Sequence, residues 1–97
     1  MLRQTQDEWL AELRGRFPKL DEASFACPRC GRTQTIGEFK AHGLDPQRVY
    51  TDCIGRYIDD VDCDWAAYGL LGTLGKGRLI LAGERELEIF DFAPVLP

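Results

Sequence analysis

Cys27-Pro28-Arg29-Cys30-Gly31 carries the densest chemistry in this chain of 97 residues. Two thiolates separated by two residues grip one ion because the backbone between them folds into a knuckle. The N–H groups of that knuckle point at the sulfurs and stabilise their negative charge. Gly31 suits the left-handed backbone needed just after the second cysteine. Cys53 and Cys63 add two more sulfurs, completing Cys-x2-Cys-x22-Cys-x9-Cys with no cysteine left over. Four sulfurs match a closed tetrahedral site, so the expected cofactor is a structural Zn2+ held by Cys27, Cys30, Cys53 and Cys63. The nine-residue gap makes Cys53 and Cys63 the looser half of the motif.

Other uses of paired cysteines match the surroundings less well. A thioredoxin-like pair stands at a helix N-terminus inside a βαβ pattern, whereas Gly31-Arg32-Thr33 opens no helix. Structural disulfides belong to oxidising compartments, and the N-terminus MLRQTQDEWL has no apolar stretch of a secretory signal. A zinc deaminase needs His-x-Glu before its Pro-Cys-x-x-Cys, but His42 follows the pair and Ala26 precedes Cys27. His42 and Asp52 are the substitute ligands should one cysteine stand aside, with His42 read first as a helix-end residue. Metal affinity would couple to folding with an apparent value of ~10 kcal/mol or more, comparable to the whole stability of a small domain.

The remaining inventory argues against catalysis. There is no asparagine, one serine (Ser24) and one histidine (His42), so a Ser-His-Asp site has a single pair to draw on and a Cys-His-Asn site none. Gly75-Lys76 is followed by Gly77, and Leu70 stands where a phosphate loop needs its first glycine. Four thiolates leave a metal no open position for a water. An enzyme is not expected.

Two surfaces suggest binding instead. The formal net charge is −4, and it is uneven: residues 1–48 hold eight basic and seven acidic side chains, residues 49–97 four and nine. Asp59, Asp60, Asp62 and Asp64 crowd the segment between the last two cysteines. Their spacing lacks the glycine of an EF-hand; the loop reads as a solvated acidic face, available to a protein partner. Arg29, Arg32, Lys40, Arg48 and Arg56 flank the metal motif, and with Tyr50 and Tyr57 for base stacking they define the alternative, a nucleic-acid-binding zinc ribbon. The overall sign disfavours bulk coating of DNA or RNA.

Elements must hold these residues in place. Thr5-Gln-Asp-Glu8 is a capping box ahead of Trp9, Leu10, Leu13 and Phe17 at helical spacing, so a helix is expected over 5–15, ending near Gly15. Its apolar stripe is expected to dock on the domain rather than on a partner. A short strand leads from Phe25 into the knuckle. A second box, Thr35-Ile-Gly-Glu38, starts a helix over 36–42, and Asp45-Pro46 marks a turn. Val49, Thr51 and Cys53 alternate as in an extended segment. Arg78–Ala82 and Glu86–Phe92 read as a β-hairpin around Gly83, with a change of alternation near Phe90 suggesting a bulge or a strand covered on both faces. Ala93–Pro97 is a Pro-ended tail. The expectation is one α+β domain over 1–97: a helix (5–15), a four-cysteine zinc-ribbon-like region (25–71), and a hairpin with tail (72–97). A treble clef, with a helix after Cys63, is the second choice.

The run FACPRCGRTQTIGEFKAHGLDPQRVYTDCIGRY, followed by CDWAAYGL, resembles a family of small uncharacterised proteins encoded by phages and prophages. The matching motifs are Cys27–Gly31, Gly43–Gln47, Cys53–Arg56 and Cys63–Leu70, within residues 25–71. The resemblance implies a zinc-ribbon-like protein of a phage genome and transfers no activity. The functional expectation is therefore a non-catalytic, zinc-stabilised protein-interaction module, a phage accessory factor that binds or inhibits host or defence machinery. Its place would be the cytoplasm of a bacterial host, with no membrane partner, since no apolar run approaches the ~20 residues of a span.

Overall fold

The computed structural model describes residues 1–93. Its elements run β1 (Leu2–Thr5), α1 (Gln6–Arg16), β2 (Ser24–Ala26), β3 (Thr33–Thr35), α2 (Ile36–Ala41), β4 (Arg78–Ala82) and β5 (Arg85–Ile89). Short 3-10 helices occupy Leu20–Glu22, Pro46–Tyr50 and Ile54–Arg56. The architecture is small and mixed α+β. Beyond Ala93, the expected tail lies outside the described residues.

Helix α1 starts as its sequence dictates. Thr5 accepts from the Glu8 amide at 3.2 Å, and the Glu8 carboxylate accepts from the Thr5 amide at 2.8 Å. The helix passes through Gly15 to Arg16, one residue further than the glycine suggested. Its stripe docks at home: Trp9 and Leu13 are buried, and Leu10 and Phe17 pack against the same core. The Trp9 ring stacks on Phe92 at 5.9 Å and meets Tyr50 edge-on at 5.3 Å, while Phe25 lies 5.2 Å from Phe92. One aromatic cluster thus joins the N-terminal helix, the knuckle strand, the middle of the chain and its C-terminal segment.

The hairpin pairs β4 with β5, Arg78 opposite Ile89 and Ala82 opposite Arg85. An unexpected strand, β1, lies parallel to β4 on its other side with Leu2 opposite Arg78. The second arm ends at Ile89 instead of Phe92, because the chain there leaves one sheet for the other. Phe90 N–H donates to the Tyr50 carbonyl at 2.8 Å, Ala26 N–H to Asp91 at 3.1 Å, and Ala93 N–H to Ser24 at 2.9 Å. This switch accounts for the broken alternation near Phe90.

Arg78 ties the β4 side together. Its side chain is 8% exposed; Nη1 donates to Glu12 at 2.7 Å and Gln4 at 2.8 Å, and Nε to Asp91 at 2.6 Å. The guanidinium also lies 4.8 Å from the Phe92 ring centre. Arg78 first, helped by Arg16 and Gln4 and opposed by burial, draws the Glu12 carboxyl down to about 2.

Three local expectations are corrected. Val49–Cys53 is extended only at its end: Val49 and Tyr50 close a 3-10 helix, whereas Asp52 bridges antiparallel to Ala66 and Cys53 has extended backbone. Beside it lies Gln34, which is completely buried on β3. Its Nε2 donates to the carbonyls of Val49 and Asp52, both at 2.7 Å, and its Oε1 accepts from the Ile54 amide at 2.8 Å. A side chain therefore satisfies the backbone groups that a neighbouring strand would otherwise have taken. The second capping box is half made: Thr35 accepts from the Glu38 amide at 3.0 Å, but the Glu38 carboxylate turns to Arg32. Finally, no helix follows Cys63 among the described residues, so the treble-clef alternative fails and turns fill the stretch before β4.

Candidate metal centre

Cys27 and Cys30 occupy the turn between β2 and β3, whose register pairs Ser24 with Thr35 and Ala26 with Thr33. Within the knuckle the Gly31 amide donates to the Cys27 carbonyl at 2.9 Å, and Gly31 has φ +76°, the conformation its position called for. Cys53 precedes the 3-10 turn Ile54–Arg56. Its amide donates to the Trp65 carbonyl at 2.9 Å, and the Ala67 amide donates to Thr51 at 2.7 Å, so two antiparallel stretches bring Cys63 back beside Cys53. At Gly55 the chains touch: a Cβ there would collide with the carbonyl of Cys63.

These constraints gather four sulfurs within 4.8 Å of one another. Zn–S bonds of about 2.3 Å in a tetrahedron place neighbouring sulfurs about 3.8 Å apart. Cys27 and Cys63 are separated by 3.8 Å, and Cys30 and Cys53 by 3.9 Å. All four are free thiols, so the disulfide alternative is not realised. Cys27, Cys53 and Cys63 are buried, with Cys30 at the surface.

The sulfurs are also prepared for negative charge. Cys27 receives the amides of Cys30 and Arg29, Cys53 that of Gly55, and Cys63 that of Trp65. The second half of the motif lacks Cys-x-x-Cys, yet each of its cysteines gets an amide from two residues downstream, as Cys27 does from Arg29. Burial nevertheless pushes the Cys27 thiol up to about 11 and raises Cys53 too. For Cys63 burial also acts upward, but the Trp65 amide and the neighbouring thiols bring it down. Four thiols aimed at one point, three of them buried and equipped with amide donors, form a donor set for a soft or borderline cation that displaces their protons. The residues present fit zinc.

The substitute ligands do not join them. His42 is exposed at the end of α2. Asp52 is completely buried but saturated elsewhere: it accepts from the hydroxyls of Tyr57, of Tyr68 at 2.9 Å and of Thr51 at 2.7 Å. Arg56 and Arg48 approach its carboxylate at 3.7 and 3.9 Å. Sequence reading named Asp52, Arg48, Arg56 and Tyr57 for other roles and missed that, with Thr51 and the more distant Tyr68, they form one hub.

The five basic candidates divide three ways. Arg32 pairs with Glu38, and Lys40 with Asp21 at 2.8 Å; Arg48 and Arg56 surround Asp52; Arg29 borders an open groove of about 470 Å³. That groove is also lined by Asp59, Asp62 and Asp64, so three of the four acidic candidates converge there, with Asp60 exposed beside them. A further feature escaped the sequence reading. Leu70 is 102% exposed and Leu71 63%, and both line a second cleft of about 380 Å³ with Trp65, Ala66 and Tyr68. In sequence this stretch served to exclude a phosphate loop, and nothing in it signalled that its leucines would surface.

The family described as VVA0879-like matches residues 5–93. The chain belongs to the VVA0879-like family. The match spans α1, the cysteine cluster and the hairpin together, so it covers nearly all of the described fold. This family is uncharacterised, and membership brings no activity with it. No curated protein and no solved structure matches the chain. Among the described residues no helix is long and apolar enough to cross a membrane.

Proposed function

We propose that this member of the VVA0879-like family is a non-catalytic protein-interaction module stabilised by a structural, zinc-ribbon-like four-thiolate centre. The observation that carries the reading is the closure of the donor set. Cys27, Cys30, Cys53 and Cys63 account for all four tetrahedral positions, which leaves none for a substrate or an activated water. Beside the closed centre the chain presents apolar and acidic surface, which suits a protein ligand. The phage resemblance over residues 25–71 supports host or defence machinery as the source of that ligand, met in the bacterial cytoplasm.

Nucleic-acid binding is the second reading, favoured by one observation: Arg48, Arg56, Tyr57 and Tyr68 converge on one spot. Asp52 weakens it, since its buried carboxylate holds both hydroxyls and offsets one of the two cations. Fluorescent single- and double-stranded DNA and RNA, titrated across a salt series, separate the two. The protein-interaction reading expects no binding even at low salt. Binding that falls steeply with salt and weakens in Arg29→Ala or Arg56→Ala would replace it with the nucleic-acid reading.

A further inference from the structure

We propose that the leucine cleft and the aspartate groove form one continuous docking surface for a basic amphipathic segment of a partner protein. The proposal rests on the interaction-module reading and names the chemistry of its ligand. The two hollows meet at Asp64, which lines both. On one side stand Trp65, Leu70 and Leu71; on the other, Asp59 and Asp62, with Asp60 exposed close by.

The apolar side is held in place. The Trp65 indole N–H donates to the Gly72 carbonyl at 2.9 Å, bracing the loop from beneath. The Tyr68 hydroxyl is anchored on Asp52, and buried Thr73 is fixed through its amide and hydroxyl to Glu88. Leu74 takes φ +57°, a conformation that side-chain-bearing residues rarely adopt. A fixed loop that turns leucines into water resembles a pre-organised binding surface, because little freedom remains to be lost on docking. Trp, Tyr and Arg at the cleft are the residue types that dominate interface hot spots.

Charge selects the occupant. Among the described residues no ion pair engages Asp59, Asp60, Asp62 or Asp64, and Arg29 is the one cation on the aspartate groove. A ligand that fills the leucine cleft must therefore bring Lys or Arg to the aspartates. A second copy of this chain would set two acidic loops against one another, and an anionic membrane would be repelled by them.

The zinc-loaded full chain, immobilised and panned against displayed random peptides of about sixteen residues, tests this directly. The expected winners combine Lys or Arg with Leu, Ile or Phe. As free labelled peptides they should bind at least about tenfold more weakly to Leu70→Ser/Leu71→Ser and to Asp59→Lys/Asp62→Lys. A charge-matched control away from the surface, Glu84→Lys/Glu86→Lys, should stay within about twofold, with all variants checked for folding by circular dichroism. No enrichment, enrichment of acidic sequences, or binding indifferent to both surface variants overturns the proposal. So does leucine-dependent adsorption to phosphatidylcholine–phosphatidylglycerol vesicles, or a dimer in sedimentation that Leu70→Ser dissolves. Peptides that bind elsewhere would leave the interaction-module reading standing without this surface. Salt-sensitive nucleic-acid binding in place of peptide binding would remove both.

Discussion

Between Ser24 and Ala67 the chain has two strands of three residues, one helix of six and two 3-10 turns, and its cysteines lie at their centre. Around β4, by contrast, three strands stack side by side under an eleven-residue helix, with Arg78 as a buried tie. The first region has little backbone ladder and keeps three ionisable thiols out of water. The second has conventional pairing and satisfied charges. The difference teaches what each region draws on: the first gathers four thiols into a donor set that can hold a cation, whereas the second draws on strand pairing, burial and ion pairs among its own residues. The aromatic cluster of Trp9, Phe25, Tyr50 and Phe92 spans the boundary, so the two are not independent.

The largest effect should follow from taking away the ion. Cys53→Ser, or a chelator strong enough to strip the site, removes a coupling of ~10 kcal/mol from a domain whose total stability is on the order of 5–15 kcal/mol. Because Phe25 and Tyr50 lie on the cysteine side of the shared cluster, α1 should melt together with the knuckle. Circular dichroism of the stripped protein and amide spectra of β4 and β5 decide the matter. A hairpin that keeps its dispersed amide signals after chelation would show that the β4 region folds alone.

Arg78→Met attacks the other region. It strands Glu12 and Asp91 and should cost about 3 kcal/mol, the lower end for breaking a buried pair, since both carboxylates keep partial access to water. Zinc content should remain unchanged while the melting temperature falls. A loss of zinc would mean the tie reaches the cysteines as well. Gly55→Ala has the opposite signature. Its new methyl meets the Cys63 carbonyl and should cost about 2 kcal/mol of overpacking, expressed chiefly as weaker zinc retention in a competition assay with a chromogenic chelator.

How much of this was legible depended on distance along the chain. Thr5 and Glu8 are three residues apart and closed their box as written; Cys27, Cys30 and Gly31 gave the knuckle in the same way. Glu38 was equally local, but Arg32 on the neighbouring turn outcompeted the Thr35 amide for its carboxylate. Val49–Cys53 alternated like a strand, yet only its end is extended, and a glutamine fifteen residues upstream takes the carbonyl of Val49 where the chain is still in its 3-10 turn. Strand β1 has four residues with little burial, and its partner is at the far end of the chain. The Asp52 hub likewise needs Tyr68, sixteen residues on. What a neighbour within one turn decides was readable; what a distant side chain decides was not.

Acid should distinguish the regions more gently. Glu12 has its carboxyl drawn down to about 2, chiefly by Arg78. Its contribution is complete above the unfolded value near 4.5 and fades as pH falls from there toward 2. Acid also returns protons to the thiols and releases a metal, so the wild-type curve alone mixes both effects. The difference between wild type and Glu12→Gln isolates the carboxylate. The gap between their urea midpoints should be widest at neutral pH and narrow as the pH falls below about 4.5, followed over the range in which both proteins keep their zinc. A constant gap across that range would mean that Glu12 acts by packing rather than by charge.

The smallest expected change in stability is the one that frees a surface for binding. Leu70 is entirely exposed and Leu71 mostly so, and their substitution by serine removes little buried contact. The melting temperature should correspond to a change within about 0.5 kcal/mol, as for surface positions away from the core. The loop has reasons to keep its shape without them, since Trp65, Tyr68 and Thr73 anchor it through hydrogen bonds to other parts of the fold. A variant with unchanged stability and zinc content would assign these leucines to neither region's interior. A variant that melts early would instead return them to the cysteine side, as cover for Trp65 and the backbone behind Cys63, and the cleft would then belong to the fold rather than to a ligand.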